Sequence, residues 1–397
     1  TVSRTPIEVQ HSSAAITIIT AEQIAESKAV YVSELLQSVV GLNVSRSGGP
    51  GAQSQVRLRG GEANHVLVLI DGIEVNDPAG GSEFDFGLLS TDQIERIEVL
   101  RGAQSALWGA DAASGVINII SKSATEGQQL QLRSTLGSRD HFQKAVSFSH
   151  AKDKFDIRLG ADWLKTDGIN AVTVGNEKDG YESVTLTLKS HYVFDNDAEL
   201  GLVARYSDSD ADNDPGNDIG VPTDGFSTIS RESIYARAFV KWAVWDQRWQ
   251  HQLEYAITDR DNDFEKDAGR SSSKGQKYKW MYQTTLKLPT DNAKIDRQSL
   301  TLAAEREREN FSQVDAISWG MDPNQKQRTV NYGYVAEYQL GFLDNFNFSV
   351  SARLDDNDKF DDAKTYRLGL SYAQPHWGTR WHVAHATGVK NPTFTEL

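Results

Sequence analysis

The sequence predicts two structural parts, an α/β domain over residues 1–124 and an antiparallel transmembrane β-barrel over residues 125–397. Three observations predict this division. The first part mixes short apolar runs with helix-capping patterns and glycine-rich turns. The second part alternates apolar and polar residues with a period of two, as strands do when their two faces meet different environments. Aromatic residues gather near the ends of these alternating segments, which is typical of a membrane–water boundary.

The composition limits the classes of function. The chain contains no cysteine, which excludes disulfides, thiolate metal sites and a cysteine nucleophile. The formal net charge of −14 makes a nucleic-acid partner unfavourable. No apolar run approaches the roughly 18 residues of a transmembrane helix. The chain starts at Thr1 without an initiator Met, so we expect that a signal peptide has been removed or left out.

The first part begins with a predicted strand and two predicted helices. We expect a short strand over Ala14–Ile19 and then a helix capped by Thr20, because Gln23 completes a capping box. A second helix is expected over residues 32–39, with Gly41 ending it.

Four further strings predict the sheet of this domain. HVLVLIDG (65–72) is a buried strand that ends in an Asp-Gly turn, and IEVND (73–77) returns from that turn. IERIEVLRG (94–102) and GVINIIS (115–121) are two more strands. The domain therefore has the ordinary size and the mixed elements of a compact α/β unit.

The second part repeats one pattern about 13 times, at the length of a tilted strand that crosses a bilayer. FDIRLGADW (155–163) is an example. Its apolar side chains face one way and Asp156, Arg158, Gly160 and Asp162 face the other.

A soluble β-sandwich would also alternate, but two features favour a barrel. The aromatic residues near segment ends are Trp163, Tyr206, Trp242, Trp245, Trp249, Tyr255, Trp280, Trp377 and Trp381. Tight turns are expected at 195–197 and 344–345, and long polar loops at 208–230, 259–276 and 311–327. Short turns on one side and long loops on the other are typical of outer-membrane barrels.

The first part carries five strings in a fixed order: ITIITAEQI (16–24), ELLQSVVGLNVSRSGGPG (34–51), VRLRG (56–60), HVLVLIDGIEVND (65–77) and IERIEVLRGAQSALWGADAASGVINIISK (94–122). In these strings it resembles the plug domain of TonB-dependent outer-membrane receptors. The resemblance implies an α/β plug inside an antiparallel barrel of about 22 strands. We therefore expect the sequence to be an N-terminal fragment, because a partial barrel would leave strand edges unpaired in lipid.

The resemblance also implies partners. The family carries a short TonB box, which binds the energy-transducing TonB protein, and by spacing Thr1 would be its last residue. Within the family the likeness is closest to the cobalamin receptors, through HVLVLIDG and GNEKDGYES (175–183). The other expected partners are outer-membrane lipid, lipopolysaccharide and a large small-molecule ligand.

An acidic stretch, DSDADNDPGND (208–218), is a candidate calcium site. It contains Asp208, Asp210, Asp212, Asp214 and Asp218. Oxygen ligands at alternate positions suit Ca²⁺, although the stretch lacks the EF-hand pattern. The resemblance to cobalamin receptors implies calcium in these loops, with Glu177 and Asp179 as partners. The alternative is a solvated acidic loop, or a surface facing lipopolysaccharide and bridged by divalent cations.

Two glycine-rich loops of the first part, 47–53 and 76–84, are candidate ligand contacts. Glycine lets the backbone approach a bulky ligand closely, although it also serves tight turns. The resemblance implies that these plug apices touch substrate. The candidate substrate-binding residues are Ser47, Gly48, Gly49, Gln53, Asn76 and Ser82.

A set of charged residues is a candidate lock between plug and barrel. It consists of Arg57, Arg59, Glu95, Arg96, Glu98 and Arg101. The resemblance implies that charged plug residues pair with the barrel wall, and such pairs are candidates for a releasable contact.

The resemblance implies a transporter, and the residues carry no catalytic constellation, so we expect no enzyme. The histidines are scattered, and no nucleophile elbow or phosphate-binding loop is present. We expect energy-coupled uptake of a scarce, large nutrient, with cobalamin first and a ferric siderophore or haem as the alternative. A second class is an outer-membrane binding protein that does not transport. The plug is shared across substrates and discriminates poorly between them.

Overall fold

The computed structural model describes residues 3–5, 7–170, 172, 178–214, 225, 227–266, 269–290, 292, 294–315 and 324–396. Within these residues, no helix is long and apolar enough to span a membrane.

The N-terminal domain is a five-stranded sheet with helices on both faces and a separate hairpin. Its elements are β1 (Ala15–Ile19), α1 (Ala21–Ser27), α2 (Val32–Leu36), β2 (Leu42–Arg46), β3 (Ser54–Leu58), β4 (Val66–Ile70), β5 (Ile73–Glu74), β6 (Ile94–Arg101), α3 (Ser105–Trp108) and β7 (Gly115–Ser121). The sheet order is β1-β6-β7-β4-β5, and β2 pairs with β3. Within this sheet β4 and β7 run parallel. Helices α1 and α2 pack on one face of the sheet, and the end of α3 packs on the other.

The local signals in the sequence set the ends of these elements. The predicted capping box is confirmed, because the hydroxyl of Thr20 accepts from the backbone of Gln23 and the Gln23 side chain accepts from Thr20. The Asp71-Gly72 turn is also confirmed, with φ of 50° and 84°. Two consecutive positive φ values form the hairpin turn that matches the twist of the strands. The second helix is shorter than predicted and ends at Leu36.

The core of this domain lies between the sheet and the helices. Every residue of β4 is buried, because both faces of that strand are covered. One cluster packs Leu35 and Leu36 against the sheet, and it includes Val203 and Tyr235 from the second part of the chain. The domain therefore shares its apolar core with the large sheet of the second part.

The second part is an antiparallel sheet of 13 strands among the described residues, each paired with its neighbours in the chain. The strands are β8 (Gly127–Leu136), β9 (Phe142–Lys152), β10 (Phe155–Ile169), β11 (Asp179–Val193), β12 (Glu199–Asp212), β13 (Ser227–Val244), β14 (Trp249–Lys266), β15 (Gly269–Lys287), β16 (Ile295–Val314), β17 (Gln325–Phe342), β18 (Phe346–Asn357), β19 (Ala363–Gln374) and β20 (Thr379–Ala386). The predicted boundary at residues 124 and 125 lies between β7 and β8.

The period of two separates an outward apolar face from an inward polar face. Outward residues such as Leu159 and Leu186 are exposed, whereas inward residues such as Arg158 and Asp162 are buried against the N-terminal domain. This is the reverse of a soluble protein and the arrangement of a barrel in lipid.

One of the three predicted long loops, 259–276, is wrong, and the middle parts of the other two, 208–230 and 311–327, lie outside the described residues. β12 continues through Asp212, and β14 and β15 continue to Lys266 and from Gly269, so the predicted loop 259–276 is almost entirely strand. Beyond the band of outward apolar residues, both faces of a strand are polar. The hydropathy pattern there no longer indicates a strand, although the backbone hydrogen bonds between strands continue.

The sheet curves around the N-terminal domain. Arg158 on β10 contacts Gln93, and Ser371 on β19 donates to the carbonyl of His11, so strands far apart in the sheet reach the same small domain. The domain therefore fills the concave side of the sheet.

Candidate functional site

A cleft of about 250 Å³ opens between the N-terminal domain and the inner face of the sheet. It lies at the ends of β12 to β15 that are opposite the tight turns. Two loops of the N-terminal domain reach it, and the sheet adds inward polar side chains. The lining includes Ser47, Gln53, Asp77, Glu83, Asp85, Arg231, Arg260, Asn262 and Ser273. Such walls suit a ligand that is recognised by hydrogen bonds.

The first loop closes the β2–β3 hairpin. The backbone nitrogen of Ser47 donates to the carbonyl of Gln53 at 3.0 Å, and the side chain of Arg46 donates to the carbonyl of Gly49. Gly51 has φ of 77°, and a Cβ atom there would lie 2.1 Å from Cδ2 of Tyr181 on β11. Only glycine therefore lets this loop approach the barrel wall so closely.

The second loop is fixed by two aspartates that face two buried arginines of the sheet. Asp77 lies 3.5 Å from Arg260 and also accepts from Asn262 at 3.1 Å. Asp85 accepts from two backbone nitrogens at 2.9 Å and lies 3.6 Å from Arg231. All four charged side chains are at most 9% exposed. At the floor of the cleft each buried aspartate therefore faces a buried arginine, so the charges of the two pairs balance.

The cleft also has polar groups that are less constrained. Gln53 is exposed at its rim. Burial raises the pKa of Glu83, and a hydrogen bond from Gln55 at 2.6 Å opposes that shift. These groups can donate to and accept from a ligand without breaking a pair that holds the two domains together.

The six predicted ligand contacts lie in different surroundings. Ser47 and Gln53 line the cleft, and Gly48 and Gly49 form the turn between them. Ser82 has φ of 57° and lines a second, smaller cavity of about 60 Å³.

Asn76 is a correction to the predicted contacts. It is 1% exposed and its side chain bonds three backbone groups, those of Val66, Val68 and Ser82. An amide buried in this way shapes the loop and does not reach a ligand.

The acidic stretch is also placed differently from the prediction. Asp208, Asp210 and Asp212 lie in β12 with their side chains on its exposed outward face, whereas Asp179 and Asp214 are buried. The cause is that the strand continues where a loop was expected, which sends alternate residues to opposite faces. Glu177 and Asp218 lie outside the described residues. Within the described part, no group of three or more acidic or histidine side chains could hold a metal ion, so calcium stays a prediction.

Comparison with known protein families shows which family the chain belongs to. Residues 8–116 match the TonB-dependent receptor plug domain, and residues 104–397 match the TonB-dependent receptor-like β-barrel. The chain belongs to the TonB-dependent receptors. The N-terminal domain is the plug, and the 13-stranded sheet is part of the barrel. Members of this family are β-barrel proteins of the Gram-negative outer membrane and are not enzymes.

Curated relatives of this receptor chain include two vitamin B12 transporters named BtuB. The one from Vibrio vulnificus strain CMCP6 is 28% identical over 403 residues, which is 97% of this chain and 61% of the relative. The one from strain YJ016 is 25% identical, with 97% and 60% covered. The chain thus spans about three fifths of the length of these relatives.

Solved receptor structures share the fold. The Q482A mutant of the ferric enterobactin receptor PfeA of Pseudomonas aeruginosa matches with a TM-score of 0.73 at 20% identity, covering 95% of this chain and 63% of that one. The alcaligin receptor FauA of Bordetella pertussis matches with 0.74 at 13% identity, covering 94% and 62%. At these identities the likeness concerns the fold alone.

The six predicted lock residues of the receptor make their described contacts inside the plug. Arg57 pairs with Glu62 at 3.2 Å, Arg96 pairs with Glu95 and Glu98, and Arg101 donates to Thr17 and Val40. The side chain of Arg59 lies beside Gly102 of the same domain. Glu98 is buried and also accepts from Asn118 of the plug. Pairing of the six residues with the barrel wall therefore stays a prediction.

Other residues join the plug to the barrel, and in six of these pairs the plug supplies the acid. The pairs are Asp71 with Lys189 (3.0 Å), Asp77 with Arg260 (3.5 Å), Asp85 with Arg231 (3.6 Å), Asp111 with Lys390 (2.6 Å), Glu74 with Lys277, and Asp92 with Arg133. Several of these side chains are almost fully buried. Removing one partner of such a pair leaves an uncompensated charge.

In the segment before β1 the roles are exchanged, because the N-terminal segment supplies the base and the barrel supplies the acid. Nη2 of Arg4 lies 2.5 Å from Oε1 of Glu305 on β16, and Arg353 on β18 lies 2.9 Å from the other oxygen. Lys279 bridges Glu305 at 3.6 Å and Glu74 at 3.4 Å. One charge network therefore connects the N-terminal segment, the barrel wall and the plug.

The sequence carries a signal for this interface that the prediction missed. The outward positions of each alternating strand are apolar and identify the lipid-facing side, while inward positions carry the basic residues. Arg231, Arg237, Arg260, Lys277 and Lys279 all occupy inward positions of β13 to β15. Buried cations require opposite charges, and here the plug acids Asp85, Asp77 and Glu74 supply part of them. The barrel acids Glu254, Glu307 and Glu309 supply the rest.

Proposed function

We propose that this receptor chain acts in energy-coupled uptake of a large, scarce nutrient across the outer membrane. The observation that carries the proposal is the cleft between plug and barrel, where both domains contribute polar walls and the plug is held by ion pairs. A ligand bound there contacts the element that must move, so binding and release of the plug can be coupled.

Cobalamin is the substrate that we propose first. Two curated relatives that match over 97% of the chain are vitamin B12 transporters. The cleft offers hydroxyl and amide groups from Ser47, Gln53, Asn262 and Ser273, which suits a bulky ligand with many amide groups. Ferric siderophores are the alternative, since solved structures with the same fold are siderophore receptors.

The partner that supplies the force is proposed to be TonB. The segment with Ser3 and Arg4 lies against the barrel wall, where side-chain pairs and hydrogen bonds to Glu305, Glu337 and Gln339 hold it. Force applied ahead of this segment would reach the plug through β1. A binding protein that does not transport is the competing class, and it would share the cleft without needing that connection.

A binding titration tests the substrate. A receptor of the family's full length that carries this chain is purified in detergent and titrated with cyanocobalamin and with ferric enterobactin. We expect cobalamin to bind and Gln53→Ala with Ser47→Ala to weaken it, whereas Arg57→Gln, outside the cleft, leaves it unchanged. Absence of cobalamin binding would reject the substrate, and binding without TonB-dependent uptake in cells would favour the competing class.

A further inference from the structure

The outward face of β16 and β17 carries four basic residues that have no acidic partner among the described residues. They are Arg306, Arg308, Lys326 and Arg328. Arg306 lies opposite Tyr332 in the ladder, Arg308 opposite Val330, and Arg328 and Lys326 occupy the next two outward positions. Successive outward positions are about 7 Å apart, so the four cations form a column roughly 20 Å long. We call this column the basic strip.

The basic strip begins where the apolar band ends. Leu300 and Leu302 are the exposed outward residues below it on β16, and the aromatic rings of Tyr278 and Tyr332 lie beside its first two members. The guanidinium of Arg308 lies 4.7 Å from the ring centre of Tyr278, and that of Arg306 lies 6.0 Å from the ring centre of Tyr332. Aromatic residues mark the edge of the hydrocarbon, so the strip lies at the level of the lipid headgroups.

Neighbouring cations at the same level are compensated, which makes the strip unusual. On β15, Lys274 pairs with Asp259 at 3.2 Å and Asp261 at 2.6 Å, and Arg270 pairs with Asp263 at 3.0 Å. The strip has no such pairs within the described part of the chain, and Nε of Arg308 is buried without a hydrogen-bond partner.

We propose that the basic strip binds the phosphorylated headgroup of an outer-leaflet lipid. Three of its four members are arginines, whose planar donors bind phosphate oxygens in pairs. The length of the strip accommodates more than one phosphate group, and the apolar band below it receives the acyl chains. In the Gram-negative outer membrane the lipid with this chemistry is lipopolysaccharide. The strip lies outside the barrel, so this proposal does not depend on the nutrient that the cleft carries.

The test uses the full-length receptor in detergent with bisphosphorylated lipid A as the probe, measured by native mass spectrometry and by titration. The variants are R306Q/R308Q and K326Q/R328Q. The matched control is K165Q on β10, an outward cation that is already paired with Glu182 at 2.8 Å. Correct folding is checked by the heat-dependent electrophoretic shift of the barrel and by binding of the cleft ligand.

We expect each double variant to bind the lipid on the order of tenfold more weakly, because two charge-assisted contacts are lost. The control is expected to bind like the unaltered receptor, and salt should weaken binding. Equal affinity for lipid A from which both phosphates have been removed would overturn the proposal, since binding would then be due to the apolar band. Unchanged binding by both double variants, or no binding by the unaltered receptor, would overturn it as well.

Discussion

The backbone of Gly51 in the plug lies against the ring of Tyr181 in the barrel wall, and a Cβ atom on Gly51 would be 2.1 Å from that ring. This contact sets how closely the first plug loop approaches the wall of the cleft. Tyr181 is 3% exposed and packs with Leu164 and Tyr31, so its ring cannot move aside freely.

We expect Gly51→Ala to displace the first loop and to weaken ligand binding at least about tenfold, because a positive φ and a steric overlap act together. The double variant G51A/Y181A should recover part of the loss, since it removes the overlap but keeps the strained φ. Ligand titration of the four proteins of this cycle measures the coupling. Additive effects of the two changes would show that the contact does not position the loop.

The buried pair Asp77–Arg260 should matter more than the exposed pair Arg57–Glu62. Asp77→Asn leaves Arg260 unpaired at 4% exposure, and we expect it to destabilise the seated plug by about 3 kcal/mol. Arg57→Gln should cost less than about 1 kcal/mol, because that pair is in solvent. Urea unfolding of the plug, followed by a fluorophore on a single engineered cysteine, compares the two. Equal effects would contradict the assignment of the interface to the acidic plug residues.

The seated plug should also depend on pH through Glu74. Burial and the nearby Glu307 raise the pKa of Glu74 to about 7 from 4.5, although Lys277 and Lys279 oppose the shift. As the pH rises, the folded state then keeps a proton that the unfolded chain has already released. The resulting stability is present in full below pH 4.5 and is lost as the pH rises to about 7.

The variant Glu74→Gln isolates this contribution. We compare the free energy of unfolding of the unaltered plug with that of E74Q. The difference between the two should fall by up to about 3 kcal/mol as the pH rises from 4.5 to about 7. Above that pH it should stay constant. The same urea unfolding measured at several pH values provides the difference. A difference that rises with pH would show that the lysines dominate and that Glu74 is ionised throughout.

Calcium dependence, if present, should involve the inward acids and not the outward ones. Asp179 and Asp214 are buried at the outer ends of neighbouring strands, whereas Asp208 is exposed on the outward face. Buried carboxylates suit a hard cation such as Ca²⁺. We expect chelation of Ca²⁺ to weaken ligand binding, D179N/D214N to abolish that dependence, and D208N to retain it. Ligand binding that is indifferent to chelation would reject the calcium prediction.

The fold was predictable where one periodicity dominated. The five strands of the plug sheet and the Thr20 capping box follow from local pattern, whereas the β2–β3 hairpin was not predicted. The period of two identified the barrel strands, because only one face of each strand meets lipid. The strand ends were not predictable. Beyond the apolar band, residues such as Asp208 and Asp261 belong to ladders in which both faces are polar.

The candidate site was only partly predictable. Ser47 and Gln53 follow from glycine-rich loops that must lie at a plug apex, but the burial of Asn76 depends on the backbone groups of Val66 and Val68 that surround it. The pairing of Asp77 with Arg260 joins residues far apart in sequence. Sequence shows that each is charged, and only the register of plug against barrel brings them together.

The separation of acids on the plug from bases on the barrel has a consequence for the receptor once the plug is released. A plug that moves away takes Asp71, Glu74, Asp77 and Asp85 with it, and the wall that it leaves carries Lys189, Arg231, Arg260 and Lys277. Lys277 would keep Glu309 of the barrel at 2.8 Å, whereas Lys189, Arg231 and Arg260 would lose their described ion-pair partners. Along β11 to β14 the vacated wall would then carry three uncompensated cations, with a local field that attracts anions and repels cations. The same residues that hold the plug would thus act as a charge filter for whatever enters behind it.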